Sequence, residues 1–134
     1  MAVEDLWRLF DIIGTLAFAV SGALVGISRR MDIFGISVLA LATAVGGGMV
    51  RDVLVGITPP MTLRDTTNFL LSVGVALATS FLYQWTALHR MRRQRLLTIF
   101  NVSDTIGLAA FTITGALTGV RVGGDDSYVL PILL

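Results

Sequence analysis

Three consecutive glycines, Gly46–Gly48, precede Arg51 and Asp52 by about one helical turn, near the end of an apolar stretch. Glycine weakens a helix by about 1 kcal/mol relative to alanine, so the triplet predicts a kink or an unwound segment. Backbone released from a membrane helix must face protein or water, and its carbonyls and helix-end dipoles can bind a cation or an anion. The alternative is that these glycines only permit close helix crossing.

The charge pair that follows the glycines admits two interpretations. In the first, Arg51 extends to the membrane interface and Asp52 is solvated there, helped by Pro59 and Pro60 soon after. In the second, both side chains face the helix bundle and Arg51 pairs with a carboxylate from another helix. The second arrangement compensates the cost of placing a charge within the bilayer.

Asp11 and Asp104 begin two similar segments. An aspartate at a helix N-terminus can cap the helix by accepting backbone hydrogen bonds. However, the apolar residues 96–100 precede Asp104, which indicates that this carboxylate lies at membrane depth. Acids at that depth usually face a polar partner or a water-filled path. We therefore favour an inward-facing, polar role for both aspartates.

Long apolar segments must position these residues. The sequence is 54% hydrophobic and 14% charged, with a mean hydropathy of +0.81. Residues 12–28, 33–50 and 68–88 carry no charge, and 96–120 is interrupted only by Asp104. At 1.5 Å per residue, about 18 residues cross roughly 27 Å of hydrocarbon. This pattern predicts an all-α polytopic membrane protein with four spans.

The arginines predict the orientation of these spans. They cluster after the first and third apolar segments, at Arg29, Arg30, Arg90, Arg92, Arg93 and Arg95. Because positive loops stay cytoplasmic, the N-terminus is expected outside a prokaryotic inner membrane. The basic loop is also a candidate for binding anionic lipid. The net charge of +1 gives no sign of a nucleic-acid partner, and we expect none.

An internal repeat relates the two ends of the chain. Residues 11–28 and 104–121 share 9 of 18 identities, and their numbers differ by 93. Because the two segments cross in opposite directions, the repeat is inverted, as in many transporters. Residues 1–95 are expected to form a three-helix repeat with its basic loop, and 96–134 the start of a second, truncated repeat. We therefore expect a longer parent protein.

Small residues and phenylalanines recur every fourth position in both copies of the repeat. This spacing favours close helix packing, and we expect the two repeats to contact each other through this face. Its residues are Gly14, Phe18, Gly22, Gly26, Gly107, Phe111, Gly115 and Gly119. The hydroxyl residues Thr15, Ser21, Thr112 and Thr114 are further polar candidates in these segments.

On three of these stretches the chain resembles the prokaryotic trimeric intracellular cation (TRIC) channel family, which has also been labelled a glycine transporter family. They are "DIIGTLAFAVSGAL", "MDIFGISVLALATAVGGGMVRDVLVGITPP" and "DTIGLAAFTITGAL". The resemblance implies inverted three-helix repeats plus a seventh helix. It also implies a homotrimer with one pore per protomer, and a second helix bent at Gly46–Gly48 beside Arg51 and Asp52. The present chain would cover about four helices and the start of a fifth.

The resemblance makes a potassium-permeable cation channel the leading hypothesis. The expected pathway residues are Gly46, Gly47, Gly48, Arg51, Asp52, Asp11 and Asp104. The alternatives are an alternating-access carrier for a small solute such as glycine, and a membrane scaffold. We expect neither an enzyme nor a bound cofactor, because the sequence lacks cysteine, a metal-ligand cluster and an activated nucleophile. Potassium is expected only as the permeating ion.

Overall fold

The chain folds into a bundle of helices. The computed structural model describes residues 3–64, 66–85 and 92–123. Within these ranges the helices are α1 (Val3–Ser28), α2 (Ile33–Leu54), α3 (Met61–Arg64), α4 (Thr66–Trp85) and α5 (Arg93–Gly123). The predicted start of a fifth membrane helix, after residue 124, lies outside the described residues, as does Arg90.

Three of the described helices are long and apolar enough to cross a membrane, namely α1, α2 and α5 up to Arg121. The described part of α4 contributes a shorter apolar stretch, Phe69–Leu82. The all-α membrane architecture predicted from composition is therefore confirmed. Many large apolar side chains on the outer surface are exposed, such as Phe34 and Trp85, which suits a surface that faces lipid.

Local signals define both ends of α2. The side chain of Asp32 accepts a hydrogen bond of 2.8 Å from the Gly35 amide and caps the N-terminus. At the C-terminus, Gly56 has a φ of +81°, and the Ile57 amide donates to the Asp52 carbonyl at 2.8 Å. This left-handed residue turns the chain sharply out of the helix.

A similar turn ends α1, with an arginine at the left-handed position. Arg30 has a φ of +56°, its amide donates to the Ile27 carbonyl, and the Met31 amide donates to the Gly26 carbonyl. These two bonds form the Schellman pattern. The turn brings α2 back against α1 after only four residues, 29–32.

Helix α1 lies at the centre of the bundle and contacts α2, α4 and α5. Its 18-residue apolar window is 56% buried, compared with 11% for that of α5. The interior contains mostly small side chains, which let helix backbones approach closely. The buried clusters are formed by Ala23, Ile27, Ile36, Ala40 and Ala76, and by Ala19, Ala44 and Val45.

Helices α1 and α5 are antiparallel. Trp7, near the start of α1, contacts Thr118 near the end of α5, while Arg29 and Arg93 line one cavity at the opposite end. The inverted arrangement predicted from the repeat is therefore present in the pair of helices that carry it.

Candidate functional site

The C-terminal turns of α2 carry two charged residues into the bundle. Arg51 is 7% exposed and Asp52 is fully buried. Of the two interpretations that the sequence left open, the structure shows the inward-facing one. Prolines 59 and 60 follow the helix, but the charged side chains turn toward α1 and α5 rather than outward.

Arg51 connects three helices. Its Nε donates to Asp52 Oδ1 at 3.0 Å, and its Nη2 lies 3.0 Å from the same oxygen. Its Nη1 donates to Thr114 Oγ1 of α5 at 3.0 Å and lies 3.5 Å from Asp11 Oδ1 of α1. One guanidinium therefore binds two carboxylates and a hydroxyl, and we call these four residues the Arg51 network.

Further contacts enclose the Arg51 network. The guanidinium carbon lies 5.2 Å from the centroid of the Trp7 ring, a cation–π distance. The indole Nε1 of Trp7 donates to Thr118 Oγ1 at 3.0 Å. Asp52 Oδ2 accepts a hydrogen bond of 2.8 Å from the Met61 amide, which ties the segment after α2 to the network.

Sequence reasoning did not identify Trp7 and Thr118 as partners, although their spacing from Asp11 and Thr114 indicates it. Trp7 lies four residues before Asp11, and Thr118 lies four residues after Thr114, so each pair shares a helix face. Buried charges persist only when they are paired and hydrogen-bonded. Among the residues that the structure describes, every buried side-chain nitrogen and oxygen has a hydrogen-bond partner.

Asp11 and Asp104 lie within their helices rather than at the ends. Asp11 is 6% exposed, eight residues into α1, and pairs with Arg51. Asp104 is partly buried and accepts a hydrogen bond of 3.4 Å from Ser21 Oγ of α1. Capping does not explain either carboxylate, because both are far from a helix N-terminus.

Phe18 and Phe111 fill the space between α1 and α5. Their ring centroids are 5.1 Å apart, an ordinary distance for an aromatic pair. A Cβ atom built on Gly14 would lie 2.8 Å from Phe111 Cδ1, and one built on Gly107 would lie 2.9 Å from Phe18 Cδ1. The two glycines therefore make room for the two rings.

The other glycines of the repeat do not all belong to this contact. A Cβ on Gly22 would lie 2.8 Å from Ala40 Cα, and one on Gly26 would lie 3.0 Å from Ile36 Cα, so both face α2. The expectation that one face of α1 contacts the second repeat is corrected for these residues. Residues four positions apart are offset by about 40° around an α-helix. The residues from Gly14 to Gly26 therefore turn from the side of α1 that faces α5 to the side that faces α2. Gly115 and Gly119 are buried.

The glycine triplet does not interrupt α2, which is α-helical from Ile33 to Leu54. The sequence predicts a kink or an unwound segment at the triplet. No unwound segment is seen, because the glycine amides still complete the helical hydrogen bonds. A Cβ on Gly46 would have no neighbouring atom within 4 Å, and one on Gly47 would lie 3.1 Å from Phe111 Cε2. Gly48 is buried. Because consecutive residues lie about 100° apart around an α-helix, the three glycines do not share one face, and Gly47 is the one beside the aromatic pair.

A cavity of about 240 Å³ opens beside Gly47. It is lined by Phe18, Gly47, Arg51, Leu108, Phe111 and Thr112. Thr112 is exposed, and its hydroxyl donates to the Leu108 carbonyl of its own helix. The cavity therefore adjoins both Gly47 and the Arg51 network.

The basic residues gather at the other end of the bundle. Arg29, Arg30, Arg92, Arg93 and Arg95 are all exposed. A cavity of about 510 Å³ there contains both Arg29 and Arg93 among otherwise mainly apolar residues of α1 and α5. The two arginine clusters that were separate in sequence therefore lie at one end. Across the described residues, no group of three or more His, Cys, Asp or Glu side chains is arranged to hold a metal ion.

Known proteins resemble the whole bundle. A family model described as "Glycine transporter" matches residues 8–84. A UPF0126 membrane protein of Deinococcus radiodurans is 46% identical over 84% of the chain and 49% of its own length. UPF0126 membrane protein YvgT of Bacillus subtilis is 37% identical over 92% of the chain and 58% of its own length. The chain thus spans about half the length of these curated relatives.

Two solved structures share the fold. A prokaryotic TRIC channel crystallised in 0.5 M KCl superposes with a TM-score of 0.82 at 34% identity, over 91% of this chain and 59% of that one. The TRIC trimeric intracellular cation channel orthologue of Rhodobacter sphaeroides superposes with a TM-score of 0.82 at 32% identity, over 96% and 61%. Since the family model also covers more than half of the sequence, the chain is a multi-pass membrane protein that belongs to the glycine transporter family, which includes the prokaryotic TRIC channels.

Proposed function

We propose that this chain forms part of a potassium-permeable cation channel. The observation that carries the proposal is the shared fold with a structure described as a prokaryotic TRIC channel, at a TM-score of 0.82. Charge supports the same conclusion. The Arg51 network holds two carboxylates against one guanidinium, so its formal charge is negative. A negative site with low-dielectric walls concentrates cations and repels anions.

The proposed path runs along α2 past Gly46 and Gly47. Gly46 has open space where a side chain would be, and the cavity beside Gly47 reaches Arg51. The partly buried Asp104 adds a third carboxylate within the same bundle. Because α2 is continuous, the path that we propose passes beside the helix at Gly46 and Gly47 and does not require freed backbone carbonyls.

Potassium flux into liposomes tests this proposal. With the purified full-length protein, we expect a potassium gradient to drive flux at channel rates. Gly46→Leu places a large side chain in the open space and should reduce flux at least tenfold. Gly74→Leu is the matched control, since a Cβ on Gly74 of α4 would also meet no atom within 4 Å and this position lies away from the path. Equal flux in both variants would reject this path.

A small-solute carrier is the second candidate, because the matching family is described as "Glycine transporter". Alternating access also uses inverted repeats and helices that move against each other. Saturable glycine counterflow without ionic current would establish this alternative. Potassium current without glycine counterflow would instead support the channel.

We propose that the chain acts in a lipid bilayer, as part of a homotrimer and without a resident cofactor. The R. sphaeroides protein is described as trimeric. The cavity with Arg29 and Arg93 suits an anionic lipid, because its charged rim adjoins apolar walls. Arginine clustering supports a cytoplasmic position for this end in a prokaryotic cell, with the N-terminus outside the inner membrane.

Cysteine labelling tests this orientation cleanly, because the sequence contains no cysteine. Glu4→Cys and Gln94→Cys change exposed positions at opposite ends of the bundle and leave every arginine in place. A membrane-impermeant maleimide should label Glu4→Cys in intact spheroplasts, and Gln94→Cys only after lysis. The reverse pattern would show that the N-terminus is cytoplasmic.

A further inference from the structure

The polar side chains between α1 and α5 form two separate groups. In the first group, Arg51 Nη1 lies 3.5 Å from Asp11 Oδ1 of α1 and donates to Thr114 Oγ1 of α5 at 3.0 Å. In the second group, Ser21 Oγ of α1 donates to Asp104 Oδ1 of α5 at 3.4 Å. Asp11 and Ser21 are ten positions apart, as are Asp104 and Thr114. On each helix the two groups are therefore separated by about 15 Å.

Two phenylalanines occupy the interval between these groups. Phe18 lies between the two polar positions of α1, and Phe111 lies between those of α5. Their ring centroids are 5.1 Å apart, and the ring planes are inclined by 48°. A Cβ atom on Gly14 would lie 2.8 Å from the Phe111 ring, and one on Gly107 would lie 2.9 Å from the Phe18 ring. Each ring is therefore packed against the backbone of the opposite helix, and the pair closes the space between α1 and α5.

The cavity beside Gly47 reaches only one of the two polar groups. Arg51 lies on its wall, together with Phe18, Phe111 and Leu108. Among the residues that the structure describes, the lining includes neither side chain of the second group. Leu108 precedes Phe111 by one helical turn, on the side of the second group. Phe18, Leu108 and Phe111, which we call the apolar layer, therefore lie between the cavity at Arg51 and the second polar group.

We propose that the apolar layer is a hydrophobic gate, which controls the passage of water and of a hydrated cation between the two polar groups. The proposal rests on the proposed function, which supplies the permeating ion. A narrow apolar passage loses its water, and an ion within it finds no replacement for its hydration shell. The polar groups offer oxygen atoms on both sides of the layer, but the layer itself offers none. Conduction then requires the rings to separate or the layer to become wet.

Polar substitutions of matched size test the gate by potassium flux into liposomes with the full-length protein. Leu108→Asn keeps the size of the side chain and lets water enter the layer, so we expect flux to rise by about tenfold. Leu108 is 57% exposed, so the change removes little packing. Phe111→Asn should exceed Phe111→Leu by a similar factor, because both variants lose the ring and only asparagine is polar. Ile113→Asn is the matched control, since Ile113 lies about 200° around α5 from Phe111, and its flux should equal that of the unmodified protein.

Labelling of a single cysteine measures the hydration of the layer without potassium flux. Thr112→Cys places a thiol in the cavity, and the sequence contains no other cysteine. A thiosulfonate reagent that carries a trimethylammonium group is added to spheroplasts or to inverted membrane vesicles, which expose opposite ends of the bundle. With the layer intact, we expect the thiol to react in only one of the two preparations. With Leu108→Asn in addition, we expect it to react in both.

The two measurements separate the gate from the proposed function. Equal potassium flux through the unmodified protein and Leu108→Asn, with labelling from one side only in both, would overturn the gate and leave the channel. Labelling from both sides with the layer intact would also overturn the gate. If no variant passed potassium while Leu108→Asn allowed labelling from both sides, the barrier to water would be supported and the potassium channel rejected.

Discussion

Replacing Arg51 with glutamine is expected to lower the free energy of unfolding by about 3–5 kcal/mol, as for a broken buried ion pair. The change removes the cation that binds both Asp11 and Asp52, whose side chains are 8% and 0% exposed. It also removes the guanidinium beside the Trp7 ring. The measurement is equilibrium unfolding in mixed micelles, followed by tryptophan fluorescence.

Arg95→Gln is the matched control, because Arg95 is exposed at the start of α5. Its loss should change stability by about 0.5 kcal/mol or less, as for surface substitutions generally. Adding Asp11→Asn and Asp52→Asn to Arg51→Gln should recover part of the lost stability, since both buried carboxylates that bound Arg51 are then replaced by neutral amides. Equal effects of Arg51→Gln and Arg95→Gln would show that the network does not stabilise the bundle.

Replacing Gly22 with alanine is expected to separate α1 from α2 and destabilise the protein by about 1–3 kcal/mol, the usual range for overpacking. The added Cβ would lie 2.8 Å from Ala40 Cα and 3.0 Å from the Leu39 carbonyl oxygen. These are backbone atoms, so no side-chain rotation relieves the contact. Thermal unfolding in detergent measures the effect.

Gly74→Ala is the comparison for this prediction. Its Cβ would meet no atom within 4 Å on the exposed side of α4, so only helix propensity changes. Alanine is favoured over glycine by up to about 1 kcal/mol, and the variant should be as stable as the original or slightly more so. If the Gly22→Ala protein unfolded at the same temperature as the Gly74→Ala protein, the close α1–α2 crossing would not be required.

The alternation of small and aromatic residues is visible in the sequence because both repeats carry it. The four-residue spacing assigns Gly14, Phe18, Gly107 and Phe111 to one set of residues. The structure brings these four together between α1 and α5. The same spacing includes Gly22 and Gly26, which face α2 instead. A four-residue period does not match 3.6 residues per turn, so sequence spacing overstates how far one helix face extends.

The sequence by itself determined the membrane class, the apolar segments and the inverted repeat, because these depend on composition and on similarity along the chain. Only the tertiary structure decided that Arg51 pairs with Asp11 and Thr114, and that α2 continues through Gly46–Gly48. Arg51 and Thr114 are 63 positions apart, and their contact depends on how each helix is rotated about its axis. That rotation is set by the packing of all the helices together, which no local pattern specifies.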